Sequence, residues 1–144
     1  MGGIAGVISA AVEPRLRVHV VALAGGGLPE ILATSKDRLL TKPRARYLAY
    51  NHLTPAQLEA QLRERIRTDP VLLAPYVDAT SLLLFIAVAD RTIGVGNALR
   101  LRRALGRPAT IFLPFGHYTT YLAIPYLRYE SLRFLRARLA DGAP

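Results

Sequence analysis

The 144-residue chain has no cysteine, which excludes disulfides, thiolate zinc sites and a cysteine nucleophile. Histidine is scarce and scattered, at His19, His52 and His117, so no metal site is expected. Lysine is nearly absent too. Lys36 and Lys42 are the only two, and the other positive side chains are arginines spread along the chain. There is neither a solid basic block nor an aromatic–basic recognition motif. The net charge of +9 and isoelectric point near 10.6 therefore read as arginine-biased usage on solvated helix faces, and nucleic acid is not expected as a partner. No basic residue precedes the apolar stretch Gly2 to Val12, which argues against a secretory signal. Asp, Glu, Lys and Arg are missing from Ala109 to Leu127, but Pro114, Gly116, His117 and Pro125 interrupt that run. It is not expected to span a membrane. The expectation is one soluble, cytoplasmic domain with no membrane partner.

What the chain does have is apolar bulk. Hydrophobic residues make up 51% and the mean hydropathy is +0.24, which argues against disorder. Such a composition suits a parallel sheet, whose buried strands read as continuous apolar runs. The length is enough for a single core.

Gly2 to Val12 is apolar all round, so a helix there is expected to be buried on nearly every side. Glu13-Pro14 ends it, because the residue before a proline is pushed out of helical conformation. Val18 to Ala24 is a β-branched apolar run stopped by Gly25-Gly26-Gly27, which predicts a strand and turn. Leu28 to Asn51 is mixed in character and predicts no definite element. Thr54-Pro55-Ala56-Gln57 combines an N-cap, a first-turn proline and a glutamine three residues after the cap. Leu58, Leu62 and Ile66 then follow at helical spacing with the arginines outward. Asp69-Pro70 repeats the cap-then-proline signal and opens a short helix to about Tyr76. Ser81 to Ala89 reads as the strongest strand, ending at Asp90. A helix from Asn97 to Leu105 stops at Gly106, and Ala109 to Leu113 is a third strand. The last helix is expected from Ile124 to Leu139, with Leu127, Leu132, Leu135 and Leu139 inward. This order predicts an α/β fold in which three parallel strands are flanked by helices on both faces.

In such sheets functional groups gather beyond the carboxyl ends of the strands. Asp90 and His117 each follow a strand, and neighbouring parallel strands would bring them together. A carboxylate bonded to one imidazole nitrogen fixes the tautomer and stabilises the imidazolium formed in acyl transfer. Either residue could instead be an ordinary turn residue. The other candidates read as structural. Ser9 and Ser131 fall inside helices, Ser35 in a loop, and Ser81 at the strand end opposite Asp90. His19 and His52 read as structural or surface histidines. Gly25-Gly26-Gly27 is a turn, and Gly94-Val95-Gly96 is only half a dinucleotide fingerprint, with Leu99 at the third glycine position.

Ala89-Asp90-Arg91-Thr92-Ile93 resembles the acid turn of α/β-hydrolases, in which an apolar residue three positions after the Asp packs the turn. Leu113-Pro114-Phe115-Gly116-His117-Tyr118-Thr119 resembles their histidine loop. The opening Met1-Gly2-Gly3-Ile4-Ala5-Gly6 is similar to the residues that follow the nucleophilic serine in their G-x-S-x-G elbow. The resemblance covers essentially the whole chain and implies the C-terminal part of such a fold, with the serine immediately before Met1. It further implies carboxylic ester or acyl hydrolysis on a small-molecule substrate without a cofactor. His117 would be the general base and then acid, and Asp90 its orienting partner. Met1 would contribute its backbone N–H to the oxyanion hole, Gly2 and Gly3 would belong to the elbow, and Gly116 would support the histidine. Residues 28–76 could include a small cap, with Tyr47, Tyr50 and Leu53 lining a pocket. Without the serine the chain is expected to be inactive, and an exposed strand edge invites self-association. The alternatives are a non-catalytic binding or assembly domain and, more distantly, a basic nucleic-acid binder.

Overall fold

A computed structural model of the chain describes residues 2–140. The elements run α1 (Gly2–Val12), β1 (His19–Ala22), α2 (Leu28–Thr34), α3 (Arg38–Tyr50), α4 (Pro55–Arg65), α5 (Pro70–Leu73), β2 (Leu82–Ala87), α6 (Val95–Ala104), β3 (Ala109–Leu113) and α7 (Ile124–Ala140). Short 3-10 turns at Ala74–Tyr76, Ala79–Ser81 and Thr119–Ala123 complete the described chain. The three strands form one parallel sheet in the order β1-β2-β3.

β2 is the central strand and is buried at every position. Successive side chains point to opposite faces, and the core divides accordingly. Leu82, Leu84 and Ile86 join Val7, Val21, Leu101 and Leu105 on one side. Leu83 and Phe85 join Leu113 on the other, where Leu127 and Phe134 of α7 pack against them. The sheet is thus covered on both faces.

α1 is buried on one face only. Ile4 and Val7 are inside, whereas Ala5, Ser9 and Val12 are exposed. The sheet and the α5 segment lie along one side of α1, so its apolar composition exceeds what is buried. The face it does bury depends on a small residue. A Cβ on Gly3 would sit 2.2 Å from the carbonyl oxygen of Ala22, so only glycine lets the helix lie against β1.

Several boundaries differ from expectation: β1 starts at His19, and β2 occupies only Leu82–Ala87 of the expected Ser81 to Ala89. β1 ends at Ala22, not Ala24, because Leu23 takes a left-handed φ of 56° that no strand continues. α6 starts at Val95, ahead of Asn97, because Gly94 at φ 83° turns the chain into the helix there. Leu28 to Asn51, for which the sequence predicts no element, forms α2 and α3. α2 has no side-chain cap of its own. Asp69 supplies one from a distance, accepting from the backbone N–H of Gly27 (3.0 Å) and Leu28 (2.5 Å) while also capping α5 through Val71 (2.9 Å). Thr54 and Gln57 form the reciprocal capping box at α4.

α7 buries only part of the face its leucines predict. Leu132 and Leu139 are exposed, while Leu127 and Phe134 lie against the sheet. The Phe134 ring packs against the Leu83, Phe85 and Leu113 cluster. No helix among the described residues is long and apolar enough to cross a membrane.

Candidate active site

Backbone pairing continues past the ends of β2 and β3. The N–H of Val88 donates to the carbonyl of Leu113 (2.9 Å), and that of Ala89 to Phe115 (3.0 Å). This carries Asp90 alongside Gly116 and His117. The approach is close, since a Cβ on Gly116 would lie 3.3 Å from the Ala89 carbonyl oxygen.

Asp90 is buried, at 7% exposure. Its Oδ1 accepts from the N–H groups of Thr92 (2.8 Å) and Ile93 (2.9 Å). Its Oδ2 lies 2.8 Å from Nδ1 of His117. An ionised carboxylate can only accept, so Nδ1 carries the proton in that bond. Nε2 is then the nitrogen able to exchange a proton with a reacting group. Ile93 packs with Ile4 and Ile31 and anchors the turn beneath Asp90. The geometry suits a carboxylate-oriented acid–base histidine.

A second carboxylate beside this pair was not legible in the sequence. Asp37 caps α3 by accepting from the N–H of Leu39 (2.8 Å). Its Oδ2 also accepts from the phenol of Tyr118 (2.6 Å) and from the hydroxyl of Thr92 (3.3 Å). Ser35 donates to the Thr92 carbonyl (2.7 Å) and accepts from the N–H of Asp37 (3.1 Å). An aspartate before a helix signals only an N-cap; nothing local announces the partner loops.

The Tyr118 phenol, followed by the Leu39 N–H, holds the Asp37 carboxyl below the ordinary carboxylate range. Asp37 in turn pushes the Tyr118 phenol above its ordinary value. A carboxyl lowered by folding adds stability above its unfolded pKa of about 3.9, and that stability is lost as pH falls through the folded value. Asp37→Asn is therefore expected to destabilise the chain more at pH 6 than at pH 3. Urea midpoints at the two values test this, and an equal loss at both would contradict it.

Met1 lies outside the described residues. Gly3 approaches β1 closely, but a Cβ on Gly2 would meet nothing within 4 Å, so no close approach holds that position. The hydroxyls of Ser81 and Ser131 donate to nearby backbone carbonyls of Asp78 and Leu127, and Ser9 is exposed on α1. Ser35 is buried beside Thr92, with its hydroxyl engaged as above. Burial lowers the pKa of His19, and His52 is exposed. Tyr47 lines a cleft of about 420 Å³ with Leu32, Leu40, Pro43, Leu58 and Leu62. Neither Asp90 nor His117 lines it, and Tyr50 points into solvent at 86% exposure.

No family model matches the chain, and no curated protein matches its sequence significantly. Solved structures do match. The protein AbyA5 superposes with a TM-score of 0.61 at 22% identity, covering 99% of this chain and 44% of its own. An acetyl xylan esterase from Paenibacillus sp. R4 gives 0.59 at 14% identity, covering 89% and 42%. The enol-lactonase from Burkholderia xenovorans LB400 gives 0.56 at 17% identity, covering 94% and 63%. The chain has an α/β-hydrolase fold. It spans less than two thirds of the length of each of these three structures. In this hydrolase fold Asp90 and His117 follow adjacent parallel strands, at the sheet end where such folds place functional groups.

Proposed function

We propose that the chain is the C-terminal part of an acyl hydrolase and carries its acid and its general base. The substrate class is a carboxylic ester or similar acyl bond of a small molecule. The hydrogen bond between buried Asp90 and His117 Nδ1 is the observation that carries this reading. Nε2 of His117 takes the proton of a serine hydroxyl as that oxygen attacks the carbonyl, then gives it to the leaving group. Asp90 keeps the ring in the required tautomer throughout. The serine belongs to residues preceding Met1, and the Met1 backbone N–H helps to bind the oxyanion. Helices α2 to α4 form a small cap.

Activity separates this reading from its alternative. The 144-residue chain is expected to hydrolyse no aryl ester above background and to resist a fluorophosphonate serine probe. A longer chain that restores a G-x-S elbow ahead of Met1 is expected to react with both, and His117→Ala should lower its kcat by about 10³-fold or more. His117-dependent turnover by the 144-residue chain would place the nucleophile inside it and overturn the proposal. An inactive longer chain would favour a non-catalytic binding or assembly domain.

Association is the other expected behaviour. Among the described residues β1 pairs with β2 alone, and Val12 and Leu16, which precede it in the chain, are exposed. An open strand edge flanked by apolar surface is a template for pairing. Sedimentation velocity is expected to show concentration-dependent association of the free chain. A monodisperse monomer with a cooperative thermal transition would show that this edge needs no partner.

A further inference from the structure

We infer that Asp37 is the positioning residue of the Asp90–His117 pair, acting through Tyr118 and Thr92; the inference rests on the hydrolase reading above. One oxygen of Asp37, Oδ2, accepts hydrogen bonds from both neighbours of the pair. Tyr118 follows His117 directly, and its ring stands edge-on to the imidazole, with centroids 5.3 Å apart at 75°. Its phenol reaches Asp37 at 2.6 Å. Thr92 holds Asp90 through its backbone N–H at 2.8 Å and reaches Asp37 through its hydroxyl at 3.3 Å. The acid turn and the histidine loop are thus tied to the same carboxylate.

That carboxylate is itself fixed independently of the pair. Its other oxygen, Oδ1, caps α3. Its backbone N–H donates to the Ser35 hydroxyl, which donates onward to the Thr92 carbonyl. Asp37, Ser35 and Thr92 therefore close a ring of hydrogen bonds that joins the α2–α3 junction to the acid turn. Tyr118 extends the ring to the histidine. Removing the carboxylate leaves the phenol and the Thr92 hydroxyl without this acceptor. The two catalytic turns would then be held together only by the Asp90–His117 bond and the backbone pairing beneath it. The Asp90–His117 bond fixes Nδ1 but leaves the imidazole able to rock about that bond, a motion that the edge-on Tyr118 ring restricts.

The test reads the histidine bond itself and needs no turnover. The low-field proton resonance of His117 Nδ1–H, assigned by its loss in Asp90→Asn, reports that bond in the 144-residue chain. Asp37→Ser retains an N-cap for α3 but is too short to reach Tyr118 and Thr92. It is expected to speed exchange of this proton with water on the order of tenfold, the factor carried by one ordinary hydrogen bond. Amide protection in α3 should stay unchanged. Tyr118→Phe is expected to give part of the effect, and its combination with Asp37→Ser no more than Asp37→Ser alone. Asp37→Asn, which keeps an acceptor oxygen, should recover much of the wild-type signal. A resonance present in the wild type and unchanged in Asp37→Ser would overturn the positioning role and leave the hydrolase reading intact. A wild-type chain without the resonance would overturn the pair itself, and with it both proposals.

Discussion

Replacing Gly3 with valine is expected to abolish the cooperative unfolding transition of the chain. A Cβ at this position would lie 2.2 Å from the Ala22 carbonyl oxygen and 3.2 Å from the backbone nitrogen of Ala24. The Ala22 oxygen belongs to the backbone of a strand, so no flexible side chain can give way. The helix must then lift from β1. Ile4 and Val7 would lose their burial, worth roughly 1.5–3 kcal/mol each, on top of the strain of overpacking. A domain's whole margin is only about 5–15 kcal/mol. Gly2→Ala is the matched control, because its Cβ would meet nothing within 4 Å, and it is expected to be neutral or slightly stabilising. Calorimetry of both variants decides the matter. A Gly3→Val chain melting like the wild type would mean that α1 does not sit against β1 as described.

The second large effect is expected at Asp69. This buried carboxylate accepts three backbone N–H groups, from Gly27, Leu28 and Val71. These groups lie at the starts of two helices, α2 and α5, so one side chain caps both. Hydrogen bonds to a charged acceptor are worth about 1.5–3 kcal/mol each, and a lone N-cap about 1 kcal/mol. The three share one residue and do not add fully, so Asp69→Ala is expected to cost about 3–5 kcal/mol. Asp78 also caps a turn, but through Thr80 alone and in an exposed position. Asp78→Ala should cost no more than about 1 kcal/mol. Urea denaturation of the two variants measures the difference. Equal losses would show that the long-range cap contributes nothing.

Elements that a short stretch of chain can specify were legible in the residues alone. Ser81 to Ala89 and Ala109 to Leu113 are apolar runs bounded by turn residues, and they became the central strand and its neighbour. Thr54, Pro55 and Gln57 announced α4, because a capping box involves only residues one helical turn apart. The meeting of Asp90 with His117 was legible for a related reason: both follow parallel strands, and strand order fixes which loop ends adjoin. Other features arise from contacts between distant parts of the chain. The cap that Asp69 places on α2 spans 42 residues, and the Asp37–Tyr118 bond spans 81. Such contacts depend on where distant loops come to lie and leave no periodic trace in the chain. The buried face of α7 was set in the same way: Leu127 and Phe134 pack against the sheet, while Leu132 and Leu139 lie in solvent. Hydrophobic pattern states that a residue can be buried. Which apolar residues are buried depends on the surface that another element presents, and that surface exists only once the chain has folded.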